Sequence, residues 1–149
     1  MKAKNFSLAD QEGKVWSLED FKGKWLVIYF YPKDMTPGCT VEAEQFRDFY
    51  EEFKALGAEI VGVSCDSEAS HNKFVCAHNL PFVLLADTEK KMVEDYGVWV
   101  EKSMYGKKFM GISRETFVVS PEGEIVKHFE KVKPEGHAEE VLQELKVKS

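Results

Sequence analysis

Three residues of this chain carry a thiol: Cys39, Cys65 and Cys76. Cys39 ends the run Tyr31-Pro32-Lys33-Asp34-Met35-Thr36-Pro37-Gly38-Cys39, between an apolar stretch and the start of a helical pattern. A sulfur in the first turn of a helix meets free backbone N–H groups and the positive end of the helix dipole, and both favour an anion. A thiol so placed is expected to ionise readily and to act as a nucleophile at neutral pH. Pro32 can shield the sulfur, and Gly38 permits close approach of another group. The Thr36 hydroxyl can hydrogen-bond a thiolate or an incoming oxygen. Glu42 and Glu44 lie nearby and by themselves would oppose ionisation. A cation must offset them. Lys33 and Arg47 are local candidates, and Arg114, at the start of a later strand, is the remote one. Its guanidinium stays charged and could stabilise negative charge developing on a leaving atom. Plainer readings compete: an inert packed thiol for Cys39, a turn hydroxyl for Thr36, a surface ion pair for Arg114.

The elements around this segment follow from the hydrophobic pattern. Asn5 to Leu8 and Lys14 to Ser17 read as a small hairpin about Asp10-Gln11-Glu12-Gly13. Trp25 to Tyr31 is apolar on both faces, as a central strand covered on two sides must be. Pro32 ends it. Phe46, Phe49, Tyr50, Phe53 and Leu56 recur at helical spacing and predict one helix closed by Gly57. Glu59 to Ser64 is a second buried strand. Asp66 or Ser67 caps a helix running to about His78. Phe82 to Ala86 is a third strand, and Thr88 to Tyr96 a short helix stopped by Gly97. Val98 to Ser113 has no clear period and reads as an extended loop. Glu115 to Val119 and Glu124 to Phe129 are strands, and a last helix starts near Pro134. Alternating strands and helices imply a mainly parallel sheet with helices on both faces, edged by antiparallel strands. This is an α/β, thioredoxin-like arrangement. In a disulfide oxidoreductase of that fold the position of Thr36 would hold the first cysteine of a CxxC; here it holds a hydroxyl, so no local dithiol can cycle.

Composition narrows the function. The chain has 149 residues, 44% hydrophobic and 31% charged, and fits one domain, 1–149. A net charge of -6 suits neither nucleic acid nor an anionic membrane surface. No apolar run at the start resembles a signal peptide and none approaches a membrane span, so a cytoplasmic location is expected. Three cysteines, an odd and small number, point to free thiols in a reducing compartment. No pair of cysteines or histidines has zinc-finger spacing, and no metal is expected.

Pro32-x-x-x-Thr36-x-x-Cys39 is similar to the peroxiredoxin active-site motif, and YPKDMTPGCTVEAEQFRD resembles the bacterioferritin comigratory protein branch, or peroxiredoxin Q. FSLADQEGKVWSLEDFKGK, IVGVSCDSEASHNKF, LPFVLLAD, YGVW and MYGKKFMGISRETFVVSPEGEIV match that branch in order, over nearly the whole chain. The resemblance implies a thiol peroxidase acting on hydrogen peroxide and organic hydroperoxides. Cys39 would be the peroxidatic cysteine, Thr36 and Pro32 its immediate surroundings, Arg114 the activating arginine, and Glu42 the residue orienting that arginine. It implies a sulfenic acid at Cys39, no cofactor, electrons from thioredoxin or a similar dithiol protein, and a monomer. Many members of the branch place a resolving cysteine five residues after the peroxidatic one, where this chain has Glu44. A subset places it in the next helix, as Cys76 would be. Cys76 ranks first as resolving residue, direct reduction of Cys39 by an external thiol second, and Cys65 third.

Two other classes fit the residues less well. A cysteine hydrolase needs a histidine base beside its nucleophile, and no motif ties His71, His78, His128 or His137 to the Cys39 loop. A thioredoxin-like module that only binds would have no need of Cys39 or Thr36. Met104-Tyr105 and Phe109-Met110 read as exposed and suit a substrate approach or a partner contact.

Overall fold

A computed structural model describes residues 1–148. Nine strands and five helices alternate along them. The strands are β1 (Ser7–Ala9), β2 (Val15–Ser17), β3 (Trp25–Phe30), β4 (Ala58–Ser64), β5 (Val83–Ala86), β6 (Trp99–Met104), β7 (Lys107–Ile112), β8 (Glu115–Val119) and β9 (Ile125–Phe129). The helices are α1 (Pro37–Asp48), α2 (Tyr50–Ala55), α3 (Glu68–His78), α4 (Lys91–Asp95) and α5 (His137–Lys148).

Seven strands form one sheet in the order β2-β1-β5-β4-β3-β8-β9. β3, β4 and β5 run parallel, while β8 lies antiparallel to β3 and β9 antiparallel to β8. The all-apolar sequence of β3 has its cause here. Val27 and Tyr29, followed by Tyr31, face a core shared with α1, α2, α3 and α5, whereas Leu26, Ile28 and Phe30 face a second core with Phe6, Phe21 and the α4 residues Met92 and Val93. The thioredoxin-like reading of the element order holds.

Local signals also hold where they are steric. Gly57 is left-handed (φ +76°) after α2. Ser67 caps α3, its hydroxyl accepting from the Ser70 N–H at 3.1 Å.

Three expectations fail. Val98 to Ser113 is not a loop: β6 and β7 pair antiparallel in full register from Trp99–Ile112 to Met104–Lys107. The single helix expected from about Cys39 to Gly57 breaks at Phe49, which closes α1 and opens α2, and Phe53 packs against Phe46, ring centroids 5.9 Å apart. The last helix starts at His137 rather than near Pro134, because Gly136 has a φ of +83° and its N–H donates to Gln45 Oε1 at 2.8 Å. Pro134 instead belongs to the turn beside Gly38.

Candidate active site

The loop after β3 delivers Cys39 to the third position of α1. Thr36 has extended backbone (φ -82°, ψ 154°), Pro37 starts the helix, and the Thr40 N–H makes the first helical bond to the Thr36 carbonyl at 2.9 Å. Proline at that first position has no N–H to leave unpaired. The Cys39 backbone N–H is therefore among the free donors of the first turn. Its side chain packs inward, 1% exposed, among Tyr29, Tyr31 and Ala43 of the core.

Arg114 reaches this sulfur from the start of the neighbouring strand, β8. The β3–β8 register pairs Phe30 with Glu115, so Arg114 stands alongside the start of the Cys39 loop. Its Nη2 donates to Cys39 Sγ at 3.3 Å and its Nη1 to Glu42 Oε1 at 2.6 Å. The guanidinium fork thus joins a sulfur and a carboxylate one helical turn apart on α1. Gly38 makes room for it: a Cβ there would lie 3.3 Å from Arg114 Nη2 and 3.3 Å from Pro134 Cγ.

The charges are coupled. Burial pushes the fully buried Glu42 carboxyl up to about 7 although the Arg114 guanidinium opposes the rise. Burial would lower Arg114, but the charges of Glu42 and Cys39 outweigh it and hold the guanidinium above its usual range. One cation therefore faces two acids, and ionisation of either weakens its hold on the other. Glu42 Oε2 and the Tyr29 hydroxyl are both buried and make no hydrogen bond among the described residues.

Other predicted site residues sit as follows. Thr36 is half-buried, and its hydroxyl donates to the Lys33 carbonyl at 2.8 Å instead of to the sulfur. That closes a turn and leaves the oxygen lone pairs free to accept from an incoming O–H. Pro32 directly follows β3 and is half-buried. Lys33 is exposed, and Arg47 pairs with Glu44 and Asp48 and caps the His78 carbonyl, so Arg114 is the cation on Cys39. Cys76 is exposed on α3, its sulfur 3.7 Å from Asn72 Oδ1. Cys65 is half-buried, and burial, with Asp87 next, pushes its thiol up to about 11, a poor thiolate.

Two features escaped the sequence. Lys102 of β6 lies within the field of the site: burial and then the Arg114 guanidinium lower its ammonium, while Cys39 opposes. Lysine on an irregular-looking segment gives no signal of that. His71 is tied to the Cys39 loop after all, because its Nδ1 lies 2.6 Å from Asp34 Oδ2. The two are 37 residues apart, a separation at which spacing says nothing. Asp34, Asp66 and His71 cluster closely enough to invite a metal, but their facing atoms are engaged with one another, Ser64 and Ser70. No helix among the described residues is long and apolar enough to cross a membrane.

Comparison with known proteins places this arrangement. Residues 1–128 match the model of the AhpC/TSA family. The chain is similar to peroxiredoxin Bcp of Bacillus subtilis, 51% identical over 145 residues that cover 97% of this chain and 92% of the relative. It is 42% identical to peroxiredoxin Bcp of Escherichia coli over 97% of this chain and 92% of the relative. Among solved structures, peroxiredoxin Q of Xanthomonas campestris superposes with a TM-score of 0.91 at 45% identity, covering 95% of this chain and 90% of that one. The bacterioferritin comigratory protein of the same organism, studied for alkyl peroxide reduction in trapped intermediate and ligand complexes, gives 0.92 at 44% identity, covering 96% and 91%.

Proposed function

The chain belongs to the AhpC/TSA family as a peroxiredoxin of the Bcp, or Q, kind, and from that premise we propose that Cys39 is its peroxidatic cysteine, activated by Arg114. The observation that carries this reading is the single guanidinium bonded to Cys39 Sγ and to buried Glu42. Arg114 holds the sulfur as a thiolate, and Glu42 fixes the fork. The thiolate attacks one peroxide oxygen, the O–O bond breaks, and the departing hydroxide or alkoxide takes a proton to leave as water or alcohol. The products are a Cys39 sulfenic acid and that water or alcohol. As charge grows on the departing oxygen, the Arg114 N–H groups and the free N–H groups at the α1 start stabilise it. Thr36 accepts from the peroxide O–H, and Pro32 limits access of water. This chemistry needs no metal or organic cofactor.

Cys76 then resolves the sulfenic acid: its thiol displaces the sulfenic hydroxyl, giving a Cys39–Cys76 disulfide and water. Exposure of Cys76 supports the assignment. The raised Cys65 thiol argues against Cys65. Cys39 is buried beneath its own loop, so the first turn of α1 has to open before the two sulfurs meet. A dithiol protein of the thioredoxin type restores both thiols. Peptide mapping without reductant, after one equivalent of hydrogen peroxide, tests the pairing. A Cys39–Cys76 linked peptide is expected; a lasting sulfenate at Cys39 beside a free Cys76 would replace it with direct reduction by an external thiol. The chain acts as a single 1–149 domain and a monomer, which sedimentation of the reduced protein checks.

A further inference from the structure

One buried polar cluster lies outside the Cys39–Arg114–Glu42 site yet is fixed to the same loop. Asp34 Oδ1 accepts from the Tyr31 hydroxyl at 2.5 Å and Asp34 Oδ2 from the Ser70 hydroxyl at 2.8 Å. The same Oδ2 lies 2.6 Å from His71 Nδ1. The other ring nitrogen, Nε2, lies 2.9 Å from the Leu85 carbonyl oxygen. A carbonyl only accepts, so Nε2 carries a hydrogen. A bare ring nitrogen and a carboxylate oxygen do not approach to 2.6 Å with lone pairs facing, so a second proton lies between them. The pair therefore holds one proton more than a carboxylate beside a neutral imidazole, and its net charge is zero. Neutrality suits its burial, the side chains being 0% and 2% exposed. Burial, and then the Asp34 charge, pushes the Tyr31 phenol well above its usual range and keeps it a donor.

The partners come from separate elements. Tyr31 and Asp34 belong to the β3–α1 loop, Ser70 and His71 to the start of α3, and Leu85 to β5. The Asp34 N–H also donates to Asp66 Oδ2 at 2.8 Å, and that oxygen accepts from the Ser64 hydroxyl at 2.7 Å. The midpoint of the loop is thus bolted to the helix that carries Cys76. Met35, the next residue, is left-handed at φ +63°, a strained state for a non-glycine that the bonds on Asp34 help to hold.

We propose that Asp34 and His71 form a proton-sharing latch that holds the Cys39 loop ready for peroxide, and that opening this latch limits transfer of the oxidised sulfur to Cys76. The second half rests on the assignment of Cys39 and Cys76 made above. Neither latch residue touches the sulfur; both are positioning residues.

Quenched-flow alkylation of the full chain, read by mass, separates loss of the Cys39 thiol from formation of the disulfide. His71→Leu removes both ring bonds. It is expected to slow the peroxide step about tenfold, the worth of one or two buried hydrogen bonds, and to speed disulfide formation severalfold. Opposite signs are the signature. Asp34→Asn is the rescue, because its amide N–H supplies the proton that Nδ1 needs and its carbonyl still accepts from Tyr31; both steps are expected near the wild-type rates. Ser70→Ala removes one donor to Asp34 and gives the same split at smaller amplitude, which serves if His71→Leu does not fold. Both steps changing together in His71→Leu and Ser70→Ala, or neither changing, overturns the latch. So does a nitrogen-15 NMR spectrum at neutral pH showing His71 Nδ1 as a bare nitrogen with no proton shared with Asp34. If wild type forms no Cys39–Cys76 disulfide, the earlier assignment fails and the second half of the proposal falls with it.

Discussion

Arg114→Gln removes the cation that touches the Cys39 sulfur and leaves a shorter, neutral polar side chain. With Nη2 at 3.3 Å from Sγ, unit charges at an effective dielectric of about 20 would attract by roughly 5 kcal/mol, which is a ceiling. Hydrogen bonds to charged groups contribute about 1.5–3 kcal/mol, or about 10- to 150-fold in rate. The second-order rate with hydrogen peroxide should fall within that range at pH 7. The loss combines the hold on the attacking sulfur with stabilisation of the departing oxygen, so a deficit of about tenfold should persist at every pH. Arg114→Lys should recover only part of the rate, because a single ammonium cannot serve both Sγ and Glu42 Oε1. Competition against a haem peroxidase of known rate, repeated across pH, measures all three proteins. An Arg114→Gln rate within about threefold of wild type at every pH would refute the electrostatic argument, since even the weakest such bond is worth about tenfold.

Glu42→Gln tests the cost of the buried carboxylate. The folded value of Glu42 is raised to about 7, so the folded state favours the protonated form. Stability from this group is full below the unfolded value near 4.5, falls as pH rises, and is lost above about 7. The shift corresponds to about 3 kcal/mol. Glu42→Gln should thus be the more stable protein at pH 8 by up to about 3 kcal/mol and should match wild type near pH 4 in urea denaturation; a variant less stable at both pH values contradicts this. Thr36→Val should slow the peroxide step by about tenfold, the worth of one hydrogen bond, and Thr36→Ser should restore it. Equal rates for Thr36→Val and wild type would leave the hydroxyl as the turn closure that its bond to the Lys33 carbonyl makes it.

What could be read from residue types alone was whatever local sterics and burial decide. The two-faced apolar run at β3, the cap at Ser67 and the left-handed Gly57 each leave a mark within a few positions. Cys39 was legible because proline, glycine and a helical pattern flank it. The β6–β7 hairpin was not, because its tip is exposed on both faces and so shows no alternation: Met104, Phe109 and Met110 are open to solvent and Tyr105 is 98% exposed. Its turn is Tyr105-Gly106, both with positive φ, where asparagine or aspartate before glycine would have signalled it. The contact of Arg114 with Cys39 joins residues 75 apart through the β3–β8 register. Residue types alone offered Arg114 as a remote candidate cation beside the plainer reading of a surface ion pair, and the family resemblance gave it its role. The Asp34–His71 pair had neither route, since a buried aspartate in a turn and a histidine on a helix are each unremarkable until the fold sets them 2.6 Å apart.

The central claim is that one sulfur, Cys39, meets the peroxide. Intact-mass analysis of a Cys65→Ser/Cys76→Ser double variant, treated with one equivalent of hydrogen peroxide and trapped with a sulfenate-specific reagent, tests it most directly. One reagent adduct, on Cys39 and formed at the wild-type rate, is expected, with no peroxide consumption by Cys39→Ser. Rapid consumption by Cys39→Ser, or a double variant whose Cys39 stays unoxidised while wild type turns over, would contradict it.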